Sequence, residues 1–388
     1  IYGVINDEVS VGPPLYEIAD ILNVQVAKKD KSIPQVDFKN HLMIGWPDYA
    51  ILKYQRILLT HGYRLVMVDQ VTPAPNPERD VTVILSSSTA IDVLDTVDSI
   101  HLVSIYVNEY PMPGNTKILR SGFSAIDIST GKNFVHSIQS TPKDKKLWSD
   151  EIFRLLHNYN PSEVVLHYDD ITEDQLVKWC HEWSLDRKKV YCNFYKSKEF
   201  LKPSYQNEFY RKVYPDTGML EPSSYLGFER DQDMLMSHIY MVQFIHTHKM
   251  ENIREIQKPL FNESQQHLIL SHNCMYQLYL VDTTEHSQER YSSLLSLLNR
   301  CKTAVGRRLC KERLLYPILD KDILKKRYQV LGDFVDKELY KKCLPDLEKI
   351  HDIERAFRKM GLGILHPNEF VNLHQSLSYL SRVHRILG

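Results

Sequence analysis

Between Leu294 and Pro317 the chain reads LLSLLNRCKTAVGRRLCKERLLYP. Thr303 is a residue type that caps a helix N-terminus and Pro317 cannot continue one, so the spacing predicts a helix between them. At 3.6 residues per turn Val305, Leu309 and the Leu314/Leu315 pair fall on one apolar stripe, while Arg307, Arg308, Lys311 and Arg313 fall largely off it, on a solvated face. Gly306 stands near the middle of that helix, where it costs roughly 1 kcal/mol relative to alanine. The compensation expected from sequence is close approach of a second helix at this point.

Helical periodicity recurs over 231–249, 321–337 and 369–386, and strand patterns cease beyond Pro203, so residues 206–388 read as an all-helical domain. Upstream, over 98–205, the pattern is of strands at 101–107, 122–128 and 133–139, with hairpin residues Ser129-Thr130-Gly131-Lys132 between the last two. A helix (144–157), a strand (163–167), a helix (172–183) and a strand (190–193) follow. Three meandering strands and then α-β-α-β is the element order of ribonuclease H-like domains. Residues 1–97 read as a small mixed α/β domain. It holds a strand at 22–26, a helix at 49–59 capped by Asp48 and a buried strand at 64–69. Pro73, Pro75 and Pro77 then force an extended lead across the surface to a last strand at 81–85. The fold class expected is therefore multidomain, two α/β parts and an all-α part.

Length and composition agree, since 388 residues can bury several cores, and 43% hydrophobic with 25% charged residues is ordinary for a globular protein. No run approaches the roughly 18 apolar residues of a membrane span, so no membrane partner is expected. The chain begins on Ile1 rather than methionine and reads as part of a longer protein. Net charge is −1, which argues against a generic polyanion binder, yet residues 301–388 carry 18 lysines and arginines against 11 acids while the preceding part carries 30 against 38. The six cysteines form no C-x-x-C pair, so neither a zinc site nor a disulfide framework is indicated, and reduced thiols in an intracellular compartment are expected.

The stretch SLLNRCKTAVGRRLCKERLLYPI, preceded by HLILSHNCMYQLYLV at 267–281, resembles the core of the MutS DNA mismatch repair proteins. Two further blocks agree in order: HLMIGWPDYAILKYQRILLTHGYRLVMVDQV (41–71) is similar to that family's mismatch-binding domain, and GFSAIDISTGKNFV (122–135) to its connector domain. The stretch TPAPNPERDVTVILSSST (72–89) resembles most the large-virus and organelle branch, so a viral replication site or an organelle is a possible setting. The resemblance implies a mismatch-binding domain (1–97), a ribonuclease H-like connector (98–205) and an incomplete helical core (206–388). It also implies double-stranded DNA with mispairs or small loops as partner, a second MutS-like subunit, by expectation a homodimer, and an ATPase using ATP and Mg in the parent protein. Helix residues Gly306, Arg307 and Arg308 would then be structural, coupling the ATPase end to the DNA end.

No cofactor is expected in this chain itself. A phosphate-cradling G-x-x-x-x-G-K-[ST] is lacking, because Gly131-Lys132 is preceded by Ile126 where glycine is needed and followed by Asn133 where a hydroxyl is needed. Catalytic residues and a metal site are not expected either. A two-metal nuclease would need converging carboxylates, for which Glu109, Asp127, Glu151, Asp169 and Asp170 are the candidates, but the strand at 101–107 carries no acid. His246 and His248 straddle Thr247 and cannot face one metal. In the MutS family a Phe-x-Glu triplet wedges beside the mispaired base and accepts a hydrogen bond from it. By the resemblance this triplet falls at Ile1-Tyr2-Gly3, which keeps an apolar wedge and a ring for stacking but no acceptor. Lys28, Lys29 and Lys31 match the family's basic loop on the phosphate backbone, where each phosphate neutralised adds a counterion-release contribution. A MutS-derived scaffold that no longer reads mismatches is the remaining alternative.

Overall fold

The computed structural model describes residues 1–387 except 6–9, 74, 76, 92–97, 113–115, 142, 143, 145, 169, 170, 194–197, 262–266, 269, 271 and 281–290. The chain divides into two compact units, 1–95 and 96–388.

In the first unit strands β1 (Tyr2–Ile5), β2 (Ser10–Val11), β3 (Ala27–Lys28) and β4 (Leu42–Met43) form an antiparallel sheet in the order β2-β1-β4-β3. Helices α1 (Leu15–Leu22) and α2 (Ile51–Thr60) supply its core, in which Leu15, Ile18, Leu22, Leu42, Ile44 and Leu58 are buried. The strand expected at 22–26 is corrected: Leu22 ends α1, Asn23 follows in the left-handed conformation, and extended structure starts only at Ala27. Asp48 lies inside a short 3-10 turn and caps nothing by its side chain. Strands β5 (Leu65–Gln70) and β6 (Arg79–Leu85) pair antiparallel, so the proline-rich segment is the loop of a hairpin rather than a lead between distant elements. Val71 N donating to Glu78 O (2.9 Å) and Glu78 N to Thr72 Oγ1 (2.7 Å) close that loop. The ribbon is not buried: Val66, Val68 and Val81 are each at least half exposed.

The second unit is built on a six-stranded sheet. Strands β7 (His101–Met112), β8 (Thr116–Asp127) and β9 (Lys132–Gln139) meander antiparallel. Helix α3 (Leu147–Tyr159), β10 (Glu163–His167), α4 (Glu173–Glu182) and β11 (Val190–Cys192) follow, with β10 parallel to β7 and β11 parallel to β10. Beyond them come α5 (Pro203–Val213), α6 (Pro222–Leu226), α7 (Gln232–His248) and β12 (Leu260–Phe261), and the full order is β11-β10-β7-β8-β9-β12.

Side chains alternate across β7 and β8. Val103, Ile105, Val107, Phe123 and Ala125 meet α3 and α4, where Trp148, Trp179 and Trp183 pack together. Ser104, Gly122 and Ser124 face α7 instead, and Ser237 of that helix hydrogen-bonds Ser104 O (2.8 Å) and Ser124 Oγ (3.0 Å). A Cβ on Gly122 would overlap the Asp233 carbonyl and stand 2.7 Å from Met234 N, so this glycine is what lets α7 lie on the sheet.

The sheet draws on residues beyond 205. The helix over 232–248 covers the second face of the sheet, and β12 at 260–261 extends that sheet, although no strand was expected beyond Pro203. A helix buried on most sides has no polar face to say what it packs against. The remaining helices are α8 (His272–Gln277), α9 (Leu294–Leu298), α10 (Ala304–Leu315), α11 (Lys321–Asp336), α12 (Leu339–Leu347), α13 (Ile353–Gly361) and α14 (Pro367–Leu387). Among them α12 packs on α14 and on α11, and α13 on α14.

Candidate nucleic-acid interface and the basic helix

Ile1 is pinned. Its backbone nitrogen donates to Ile44 O (3.0 Å), its carbonyl accepts from Ile44 N (2.9 Å), and its side chain packs against the core of the first unit. Ile1 is thus held in the fold rather than free to wedge into a ligand. Tyr2 is 57% exposed, and its ring meets His41 edge-on at 5.0 Å. Gly3 pairs with Leu42 in the β1–β4 ladder.

His41 also anchors the basic loop, its carbonyl accepting from Lys29 N (3.0 Å). Asn40, only 3% exposed, organises the loop. Its Oδ1 accepts from Asp30 N (2.8 Å) and its Nδ2 donates to Ile33 O (3.2 Å) and Gln35 O (2.8 Å). Asp30 accepts from Ser32 N and Oγ, and Asp37 from Lys39 N and Asn40 N, so both carboxyls sit below their usual pKa. Lys29, Lys31 and Lys39 are exposed, whereas Lys28 donates to Pro34 O (2.6 Å) and braces the loop from within. Sequence reading missed Asn40 and Lys39. Two Asx-type turns at Asp30 and Asp37, both upstream of the asparagine, were the signal that could have found them.

Thr303 caps α10, its hydroxyl accepting from Gly306 N (3.0 Å). The reason expected for Gly306 is corrected here. A Cβ at that position would lie 2.8 Å from Thr303 Oγ1 and 3.3 Å from Cys301 Cβ, so what crowds the glycine is the chain's own capping turn and not a second helix. The apolar stripe is corrected too: Leu315 is buried, but Leu309 is 41% exposed. Arg307 is exposed and its Nε donates to Cys301 O (3.2 Å).

Arg308 is not solvated, with only 9% of its side chain exposed. It reaches Asp352 (2.6 and 2.8 Å), the N-cap of α13, and Glu354 (2.7 Å) in the first turn. Burial opposes ionisation of all three groups, yet the bonds outweigh it: the guanidinium is held above its usual pKa and both carboxyls below theirs. Glu354 also pairs with Lys132 of β9 (2.6 Å). Two further arginines of α13 hold the turn between β8 and β9, Arg355 donating to Ser129 Oγ (3.0 Å) and the buried Arg358 to Ile128 O (3.3 Å) and Asn252 O (2.7 Å). Desolvation lowers Arg358 to about 10. Residues 127–132, α10 and α13 are therefore one ionic network, beside a 730 Å³ cleft lined by Asp127, Lys132, Arg308 and Glu354 among others.

The carboxylates weighed for a nuclease do not converge. Asp127 pairs with His101 and Glu109 with Leu119, which places them at opposite ends of the β7–β8 ladder, about 26 Å apart for eight residues at roughly 3.3 Å each. Asp127 caps Ser129 N (2.9 Å), Glu109 pairs with Lys117 and Glu151 with Arg154. Asp169 and Asp170 lie outside the described residues, and among the described residues no cluster of three His, Cys, Asp or Glu could hold a metal. No described helix is long and apolar enough to cross a membrane.

Residues 273–388 match the family model of MutS domain III. Along 96% of its length the chain is 27% identical to 36% of a putative DNA mismatch repair protein, a mutS homolog of Acanthamoeba polyphaga mimivirus. It is 25% identical to the DNA mismatch repair protein MutS of Alkaliphilus metalliredigens, over 88% of this chain and 37% of that one. It is also 25% identical to the mitochondrial DNA mismatch repair protein mutS homolog of Sarcophyton glaucum, over 88% and 36%. The chain spans a little over a third of the length of these relatives. A helical segment that matches domain III, and a likeness to mismatch repair proteins that runs along nearly all of its residues, support a MutS-family mismatch repair protein.

Proposed function

We propose that the chain is the DNA-binding and connecting part of a MutS-like mismatch recognition protein. The observation that carries this reading is the pairing of an exposed ring with an exposed basic loop: Tyr2 meets His41, and the same residue's carbonyl anchors Lys29. Lysines on a braced loop supply sequence-independent phosphate contacts, and an aromatic side chain beside them supplies a stacking surface at a site that deforms easily, as a mispair does. Tyr2 takes the stacking role and Ile1 supports it from within the fold. Gly3 offers no side-chain acceptor, so selectivity rests on deformability rather than on a bond to the extruded base.

The sheet order, with two parallel strands added to one edge of a three-stranded meander, supports a ribonuclease H-like connector that α7 extends past residue 205. Glu109 and Asp127 lie too far apart for the nuclease alternative. In the parent protein we place ATP and Mg on a domain outside this chain, and a second MutS-like subunit, a homodimer, as partner. Gly306 and Arg307 are structural residues of the turn that caps α10, and Arg308 joins α10 to α13 and, through Glu354 and Lys132, to the 127–132 turn.

Duplex binding measured against salt tests this. Lys29→Ala, Lys31→Ala and Lys39→Ala together are expected to weaken binding to matched and mismatched duplex alike and to reduce the salt slope by up to about 3. Loss confined to one duplex, or an unchanged slope, would remove the loop from the interface.

A further inference from the structure

The segment before α10 folds back over the helix. Cys301 is held there by two contacts of its own, its carbonyl accepting from Arg307 Nε (3.2 Å) and its N–H donating to Asn299 Oδ1 (3.4 Å), and Thr303 two residues on caps the helix. The result is that Cys301 Cβ and Sγ stand 3.3 and 3.6 Å from the place a Gly306 Cβ would occupy. Cys310 is one turn further along the same face, and Cβ positions four residues apart on a helix are about 5–6 Å from each other. The missing Cβ of Gly306 therefore leaves the gap through which the Cys301 thiol faces Cys310. Both residues are partly exposed and neither is in a disulfide.

We propose that Cys301 and Cys310 are a redox-active pair that closes to a disulfide when hydrogen peroxide is present. The Cβ separation a disulfide needs, about 3.5–4.5 Å, is within reach of that arrangement. The Cys301 thiolate attacks the peroxide, the O–O bond breaks, and a sulfenic acid and hydroxide form. The Cys310 thiolate then attacks that sulfur, the S–O bond breaks, and the hydroxide leaving with a proton becomes water. In sum two thiols and one peroxide give one disulfide and two waters, the sulfurs being oxidised and the peroxide reduced. Cys301 is the first nucleophile because burial, and then the neighbouring Cys301 thiol, push the Cys310 thiol up. Closing the bridge fastens the capping segment to the second turn of α10, the helix whose Arg308 holds α13.

Peptide mass after peroxide treatment of the whole chain decides the matter. Cleavage after glutamate releases residues 290–312, which hold both cysteines and no other. When the treated protein is quenched, alkylated in denaturant and cleaved, this peptide is expected about 2 Da lighter than its reduced form and free of alkyl groups. Cys310→Ser is expected to stop at a sulfenic acid on Cys301 that dimedone traps. Gly306→Ala, which fills the gap, is expected to slow closure several-fold in folded protein and not in urea. A peptide carrying two alkyl groups, or equal closure rates in folded and urea-unfolded protein, would overturn the proposal.

Discussion

Replacing Gly122 by alanine is expected to be the most damaging single-methyl change in the sheet unit. The added carbon has no space, since it would overlap the Asp233 carbonyl and stand 2.7 Å from Met234 N, both backbone groups at the start of α7. Neither a rotamer change nor a flexible side-chain end can relieve that, so the helix must lift from β8. Lifting strains the bonds that fasten it there: Tyr110 to Asp233 (3.2 Å), Arg120 to Asp231 (3.2 Å) and Ser237 to Ser104 (2.8 Å). Overpacking costs about 1–3 kcal/mol, and a buried polar group left unmatched costs about 1–3 kcal/mol more, so a total near 3–5 kcal/mol is expected. For a unit of this size that is a fall in melting midpoint of roughly 6–15 °C. Tryptophan fluorescence reports it, because Trp148, Trp179 and Trp183 sit in the core on the sheet's other face. Gly45→Ala is the control, nothing lying within 4 Å of its Cβ position, and should melt like wild type. A Gly122→Ala protein that also melts like wild type would refute the close approach of α7.

Three further outcomes are expected. His136, His167 and His238 are buried in the sheet unit and held neutral, desolvation lowering each to about 3. The unfolded chain takes up their protons below about pH 6.5 and the folded one does not, so stability is full above that pH. It should fall between about pH 6.5 and 3 by up to ~4 kcal/mol per pH unit for the three together, as denaturant melts against pH would read, and a flat profile would contradict their burial. Arg308→Ala strands Asp352 and Glu354 partly buried and should cost on the order of 2–4 kcal/mol at pH 7, with much of the loss vanishing near pH 3 as the two acids are protonated; equal losses at both pH values would mean that packing, not charge, is at stake. Gly332→Ala in α11 has open space around the new methyl and should raise the melting midpoint, corresponding to about 0.5–1 kcal/mol, whereas a fall would show an unseen contact.

Local chemistry was legible in the sequence and long-range placement was not. The Thr303 cap, the stop before Pro317 and the turn between β8 and β9 depend on a few neighbouring residues, and the structure has each of them. Gly306 and Gly122 look alike in sequence, one in a helix and one in a strand, and only the fold shows that Gly122 meets another element while Gly306 meets its own cap. Arg308 was read as solvated because its partners are 44 and 46 residues away, and no periodicity in α10 encodes Asp352 or Glu354. Helix α7 announced its length but not the sheet beneath it. At the basic loop the charged residues were legible and their geometry was not: Lys28 is spent on bracing, and Lys39 takes an exposed place that spacing alone did not reveal.

The central claim is that Tyr2 and the loop beside it read a weak point in duplex DNA. Its most direct test is the affinity of the chain for two duplexes at one salt concentration, differing only in a single G·T mispair, for wild type and for Tyr2→Ala. Tighter wild-type binding to the mispaired duplex, by several-fold, with the ratio falling toward one in Tyr2→Ala while matched-duplex affinity changes little, is the result expected. Equal wild-type affinity for the two duplexes, or a ratio that survives the loss of the ring, would contradict it.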